Sequence, residues 1–339
     1  MDGTNRQLRL ARRPDGLVGD DTFELTEKPI AALAPGEFLI RVAYLSIDPT
    51  NRVWIREEPS YLPPVGIGEV MRSGAAGTVA ESRNDEFPVG THVLGMLGWQ
   101  EWAVGGGDVL ARAIPPDVPL AHMLSVFGTT GITAYFGMLD VARPAAGETV
   151  VVSGAAGATG SIAGQIAKIV GARVIGIAGT AEKCRWLTEE LGFDAAINYR
   201  QDEVGARLGA LCPDGVDVFF DNVGGATLDA VLGHLALRAR IAVCGAISTY
   251  NSLDRAEPIH AYMNLVSQRA RMEGFLVLDY LDRFPEAVLQ LVEWVGDGRI
   301  RWREHIVEGL EAAPRALNML FTGENTGKLM VRVGPDPGP

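Results

Sequence analysis

The pattern of apolar and polar positions changes about a third of the way along the chain. Up to about residue 120 the apolar segments are short and alternating or β-branched, as in FLIRVAYLSI (38–47) and GTHVLGML (90–97). Pro and Gly break them at PPVGIG (63–68), GGG (105–107) and IPPDVP (114–119). Short strands with frequent turn signals predict a compact, β-rich, barrel-like domain over residues 1–120. From residue 121 to about 304, strand-like runs that are apolar throughout alternate with helix-length segments: TVVVSG (149–154), ARVIGIAG (172–179), AAIN (195–198), VDVFFDNVG (216–224) and ARIAVCG (239–245). Uniformly apolar strands with helical crossovers predict an α/β domain with a doubly wound parallel sheet covered on both faces.

A helical stretch, RFPEAVLQLVEWVGDG (283–298), precedes two further short segments, IVEGL (306–310) and GKLMVRV (327–333), and a tail, GPDPGP (334–339), expected to fray. The pattern alone leaves open whether residues 305–339 rejoin the first domain. At 339 residues the chain is long enough for two domains. Its 47% hydrophobic and 21% charged residues are those of a globular protein. No apolar run approaches the ~18 residues of a membrane span, and the polar start MDGTNRQLRLARRPDG has no hydrophobic segment behind it, so a cytoplasmic protein is expected. A net charge of -12 opposes binding to nucleic acid or to an anionic membrane surface, although a local basic pocket for one small anion is compatible with it. The cysteines Cys184, Cys212 and Cys244 are odd in number and scattered, and are read as reduced, mostly buried thiols.

The candidate chemistry begins at SGAAGATG (153–160), between the apolar strand 149–153 and a helix with apolar residues at Ile162, Ile166, Ile169 and Val170. Small residues there let a backbone approach a pyrophosphate, and the helix N-terminus offers free N–H groups and a partial positive charge. Ala155 stands where the first glycine of the usual fingerprint would be. A purely structural turn, or the glycine loop of a methyltransferase, is compatible with this motif taken alone. The next strand shifts the balance. VIGIAG ends in Ala178 and Gly179, without the carboxylate that binds the adenosine ribose of NAD, and is followed by Thr180 and Lys183, with Tyr199 and Arg200 after the third strand. Donors and positive charge in place of a carboxylate suit a 2′-phosphate and favour NADP(H).

No metal site is indicated. The first domain has no cysteine and only His92, in a strand-like run, while His122, His234, His260 and His305 lack paired spacing. Neither a G-x-S-x-G elbow nor a P-loop occurs.

The segments LSIDPTNR (45–52), EEPSYLPPVGIG (57–68), GITAYFGMLDVARPAAGETVVVSGAAGATGSIAGQIAK (131–168), GVDVFFDNVGGATLDAVL (215–232), RIAVCGAISTYN (240–251), RMEGFLVLDY (271–280), REHIVEGLEAAPRAL (303–317) and TGENTGKLMVRV (322–333) together span nearly the whole chain. They resemble the zinc-independent branch of the medium-chain dehydrogenase/reductases, the NADPH-dependent alkene reductases. That branch includes the leukotriene B4 dehydrogenase/prostaglandin reductases, plant double-bond reductases and bacterial curcumin reductases. The resemblance implies a GroES-like β-barrel domain built from residues 1–120 and 305–339, a Rossmann NADP(H)-binding domain over 121–304, and a homodimer. It also implies that Gly157, Ala158, Thr159 and Gly160 meet the pyrophosphate and that Lys183 and Tyr199 meet the 2′-phosphate. Asn222, Cys244, Gly245, Ala246, Ile247, Ser248, Thr249, Tyr250, Phe275, Leu276, Val277 and Asn325 would line the nicotinamide half, which Thr133 would also approach.

Two departures from the family pattern bear on the substrate. The usual Asp-Pro-Tyr-Met-Arg reads Asp48-Pro49-Thr50-Asn51-Arg52, and the usual Met-Pro-Gly reads Thr129-Thr130-Gly131. The implied reaction is hydride transfer to the β-carbon of an α,β-unsaturated ketone or aldehyde, followed by protonation of the enolate. The candidate donors to the enolate oxygen are the Tyr250 hydroxyl and a ribose hydroxyl of the cofactor, and the proton comes from Tyr250 or from water. Tyr250, the catalytic candidate, has an orienting or relaying role given a tyrosine acidity near ~10. Tyr61 is the second catalytic candidate. A quinone or carbonyl/alcohol oxidoreductase on the same scaffold, and a protein that binds NADPH without turnover, remain alternatives.

Overall fold

The computed structural model describes residues 3–58, 60–106, 111–252, 258–336 and 338. Pro59 of the EPSY run, Gly107 of the GGG break, and Pro337 and Pro339 of the tail lie outside the described residues. The chain divides into two units, Met1–Leu124 with Glu304–Pro339, and Ser125–Arg303.

The first unit holds β1 (Thr4–Leu10), β2 (Phe23–Pro29), β3 (Phe38–Ser46), β4 (Ala75–Ser82), β5 (His92–Gly95), β6 (Trp102–Gly105) and β7 (Ala111–Ala113). The second holds β8 (Thr149–Val152), β9 (Arg173–Ala178), β10 (Ala195–Asn198), β11 (Val216–Asp221), β12 (Leu235–Val243) and β13 (Arg271–Gly274). The chain then returns to the first unit with β14 (Glu304–Glu308) and β15 (Lys328–Arg332).

In the first unit, a sheet runs in the order β14-β15-β3-β4-β5-β7 with β6 also on β3, and the β1-β2 hairpin is tied to it by bonds such as Leu8 N to Trp99 O. β3 is central and buried at every position but Arg41. Its sequence is therefore apolar on both faces rather than alternating. Trp99, Phe38, Leu45, Ile47 and Leu10 fill the core.

The second unit is a six-stranded parallel sheet in the order β10-β9-β8-β11-β12-β13. Strand order reverses between β8 and β11, and ligands of such sheets bind beyond the carboxyl ends of the strands at that switch point. The helix Ala158–Val170 buries Ile162 and Ile166, each contributing roughly 1.5–3 kcal/mol, whereas Ile169 and Val170 are only partly covered. It ends at Gly171 in the left-handed region (φ 94°). The predicted helix near 283–298 spans Phe284–Gly296 and buries Ala287, Leu291 and Trp294.

Two details differ from the sequence reading. β12 starts at Leu235, ahead of its apolar run, and its first half, LALR, buries Leu235 but exposes Leu237 and Arg238. Of the three cysteines only Cys212 is buried as a whole residue, while Cys184 and Cys244 are partly open. No helix among the described residues is long and apolar enough to cross a membrane.

Candidate cofactor and catalytic site

At the switch point, β8 delivers the chain into Gly154, which adopts φ 56°, and Gly157 caps the following helix. A Cβ at Gly160 would lie 2.4 Å from Gly154 O and 3.0 Å from Ala155 Cα, so the first turn of the helix can press onto the strand end only without a side chain there. The first N–H groups of that helix have no acceptor within it. The turn thus has the two features a pyrophosphate needs, a backbone cradle and outward N–H donors, and these residues fit a dinucleotide.

The carboxyl ends of β9 and β10 gather Thr180, Lys183, Tyr199 and Arg200. Thr180 Oγ1 accepts from Lys183 N at 3.2 Å and caps the helix Ala181–Arg185. Tyr199 N donates to Ala178 O, and the Tyr199 hydroxyl lies 2.9 Å from where a Gly179 Cβ would be. The Arg200 guanidinium sits 5.8 Å from the Tyr199 ring centre. Burial first, and then the Arg200 charge, lower the pKa of Lys183 below the ordinary lysine value. Holding two cations near each other has a cost that a bound anion would offset.

At the ends of β11 and β12 a hydrogen-bonded hub joins three segments. Ser153 Oγ donates to Asp221 Oδ1 at 2.7 Å, and Asn222 donates its N–H to Ser153 Oγ and its Nδ2 to Ser153 O. Cys244 N and Gly245 N donate to Asp221 O, Ile247 N to Asn222 O, and Ser248 N and Oγ to Val223 O. Gly224 and Gly225 both have positive φ (70° and 53°), and side chains there would meet Ala246 and Ser248. The Tyr250 hydroxyl accepts from Ala246 N at 3.1 Å, and Thr249 Oγ1 donates to Ala246 O. Burial, and then the charge of Asp221, push the Cys244 thiol up to about 12; although part of the residue's surface is open, the sulfur is enclosed.

Phe275 wedges between Gly137 and Phe220, its ring centre 6.2 Å from that of Phe220, and so anchors Leu276 and Val277. Thr133 Oγ1 donates to Thr129 O within its own helix. In the first unit, Tyr61 is exposed and hydrogen bonds to Thr50 through their hydroxyls, with its ring edge-on to Trp54 at 6.5 Å. Asp48 precedes the helix Pro49–Trp54 and pairs at 2.6 Å with Lys328 Nζ, whose residue is only 2% exposed. Asn325 is buried and donates to Gly327 O.

The structure therefore brings together the glycine turn, Asn222 and 244–250 as one cluster, and Lys183 with Tyr199 as another. Tyr61 and Asn325 belong to the other unit. Sequence reasoning missed Ser153, Asp221, Asp48 and Lys328. The signal for Asp221 was a lone acid closing the apolar run VFFD, and for Lys328 a lone cation opening LMV.

Residues 6–112 match the family described as the N-terminal domain of oxidoreductase, and residues 158–294 the one described as zinc-binding dehydrogenase. Despite that second description, among the described residues no three His, Cys, Asp or Glu side chains gather in a group that could hold a metal ion. The chain is 41% identical over 339 residues to the NADPH-dependent curcumin reductase of Escherichia coli (strain K12), covering 98% of each. It is 38% identical over 336 residues to the NADP(+)-dependent 2-alkenal reductase of Nicotiana tabacum, covering 97% of this chain and 98% of that one. Among solved structures, CurA from Vibrio vulnificus in complex with NADPH matches with a TM-score of 0.92 at 41% identity, over 97% of this chain and 99% of that one. The chain belongs to the medium-chain dehydrogenase/reductase superfamily, in the zinc-independent branch of NADPH-dependent alkene reductases.

Proposed function

We propose that the protein reduces the Cα=Cβ bond of α,β-unsaturated ketones and aldehydes. When bound, NADPH supplies the hydride that adds to the β-carbon. Tyr250 meets the charge that builds on the substrate oxygen and delivers or relays a proton to the α-carbon. The observation that carries this role is its hydrogen bond. Because the oxygen accepts from Ala246 N–H, the ring and its hydroxyl are held in place at the edge of the hub. The hub at Asn222 and 244–249 shapes the nicotinamide half of the site, which Phe275–Val277 and Thr133 of the same unit also line. Tyr61 is the second catalytic candidate, its hydroxyl held by that of Thr50. Incubation with NADPH and a simple enone tests the reaction. A saturated ketone is the expected product, whereas an allylic alcohol, or oxidation of NADPH with quinones alone, overturns it.

Gly157, Ala158, Thr159 and Gly160 hold the pyrophosphate, and Lys183 and Tyr199 the 2′-phosphate. Lys183→Ala should raise the Kd for NADPH about 10- to 100-fold, the worth of a charge-assisted bond, and leave that for NADH unchanged. Lysine must be protonated to pair with phosphate, and its pKa here is lowered. Affinity should therefore weaken as the pH rises towards that lowered value, earlier than for an ordinary lysine, and Lys183→Arg should flatten the decline. Fluorescence titration across alkaline pH checks both, and equal losses for NADPH and NADH remove Lys183 from the phosphate site.

We further propose a homodimer formed along β13, the outermost strand of the parallel sheet. All four of its residues are exposed, and Tyr262, Met263, Val266 and Leu281 are exposed apolar residues in the flanking segments. Sedimentation should show a dimer that Met263→Asp with Val266→Asp converts to a monomer; a monomeric parent protein refutes the proposal. A cytoplasmic setting fits the three free thiols.

A further inference from the structure

Asp221 is fully buried at the carboxyl end of β11, beside the switch point. Its recorded partners are neutral donors: Ser153 Oγ at 2.7 Å and Val223 N at 3.0 Å on Oδ1, and Gly224 N at 3.1 Å on both oxygens. Every one of these groups donates, which is the arrangement of an ionised, acceptor-only carboxylate. Burying a charge without an opposite charge is expensive, and burial accordingly raises the pKa of this group, against the pull of its three donors. A serine or asparagine could have capped the same turn at lower cost. Asn222 follows it directly in the chain, and the Asp221 carbonyl accepts from the N–H groups of Cys244 and Gly245.

We propose that Asp221 is an electrostatic positioning residue: its buried negative charge favours a positively charged nicotinamide ring over a neutral one, and so favours hydride donation. The inference rests on the NADPH-dependent reading above. In that reaction the substrate gains a hydride at its β-carbon and a proton, taken finally from solvent, at its α-carbon. The nicotinamide loses the hydride, two electrons with one hydrogen nucleus, and is left with one added positive charge. A negative charge in a poorly screened interior stabilises that change, and its neighbours Val223, Gly224 and Ser153 hold it in a fixed place without cancelling it.

The test is direct titration of NADP⁺ and NADPH, by protein fluorescence, into the parent protein, Asp221→Asn and Ser153→Ala. Asp221→Asn should raise the ratio Kd(NADP⁺)/Kd(NADPH) about tenfold. Ser153→Ala, which keeps the charge, should leave the ratio unchanged even where both constants move. Asp221→Ser, which keeps an oxygen to accept from the turn, is the second variant should the asparagine protein fail to fold, with the same expected result. A ratio unchanged in the neutral variants, or shifted as much by Ser153→Ala, overturns the role of the charge. Failure of the parent protein to bind either form overturns instead the cofactor reading on which it rests.

Discussion

Tyr250→Phe should lower kcat for enone reduction by about 10²- to 10⁴-fold, the range of a positioned proton donor. The affinity for NADPH should change by no more than about threefold, because Ala246 N–H, in a partly covered residue, loses one neutral bond. The ring stays, so packing of the 246–250 loop is retained and only the hydroxyl is removed. Turnover and cofactor affinity measured together separate two roles for that group. A fall in kcat alone assigns it to the proton and the oxyanion. Matched losses in both would make it a strut of the loop, and unchanged turnover would remove it from the chemistry.

The second large effect is expected in stability and is asymmetric. Asp48→Ala should cost about 3–5 kcal/mol, because it strands the ammonium of Lys328 in the core. That group has only Ile47 O left among its recorded partners. Lys328→Met should cost much less, since the Asp48 side chain is 26% exposed and can turn to water, while methionine fills the buried stem. Denaturant midpoints read by tryptophan fluorescence check the order, with Trp54 and Trp99 as reporters within the same unit. Equal costs, or the reverse order, would show that the pair is not held together by the burial of the lysine. The link to function is local. Asp48 N–H is bonded to Asn51 Oδ1, and this helix carries Thr50, which meets Tyr61.

Apolar patterning made the parallel sheet legible because β8, β9 and β11 are buried on both faces over most of their length and are spelled mainly with apolar residues. β13 was not legible as a strand. Its RMEG sequence is exposed at all four positions, so no burial constrains its pattern and pairing with β12 alone defines it. The same physics separates the candidate site residues. The glycine turn is readable because close backbone approach demands small residues in order, and Lys183 with Tyr199 because a missing carboxylate leaves a trace at a strand end. Asp221 and Lys328 are legible only as anomalies, single charges in apolar runs. Their partners Ser153 and Asp48 lie 68 and 280 residues away, and only the folded chain brings them together.

The raised Cys244 thiol has a protective consequence. α,β-Unsaturated carbonyls are electrophiles that alkylate thiolates, and Cys244 belongs to the segment proposed to border the nicotinamide half of the site. Burial and the charge of Asp221 hold this thiol well above the ordinary cysteine value, which keeps the thiolate scarce at neutral pH. Burial raises Cys184 and Cys212 in the same direction. In all three cysteines the shift is away from the thiolate, the form that α,β-unsaturated carbonyls alkylate.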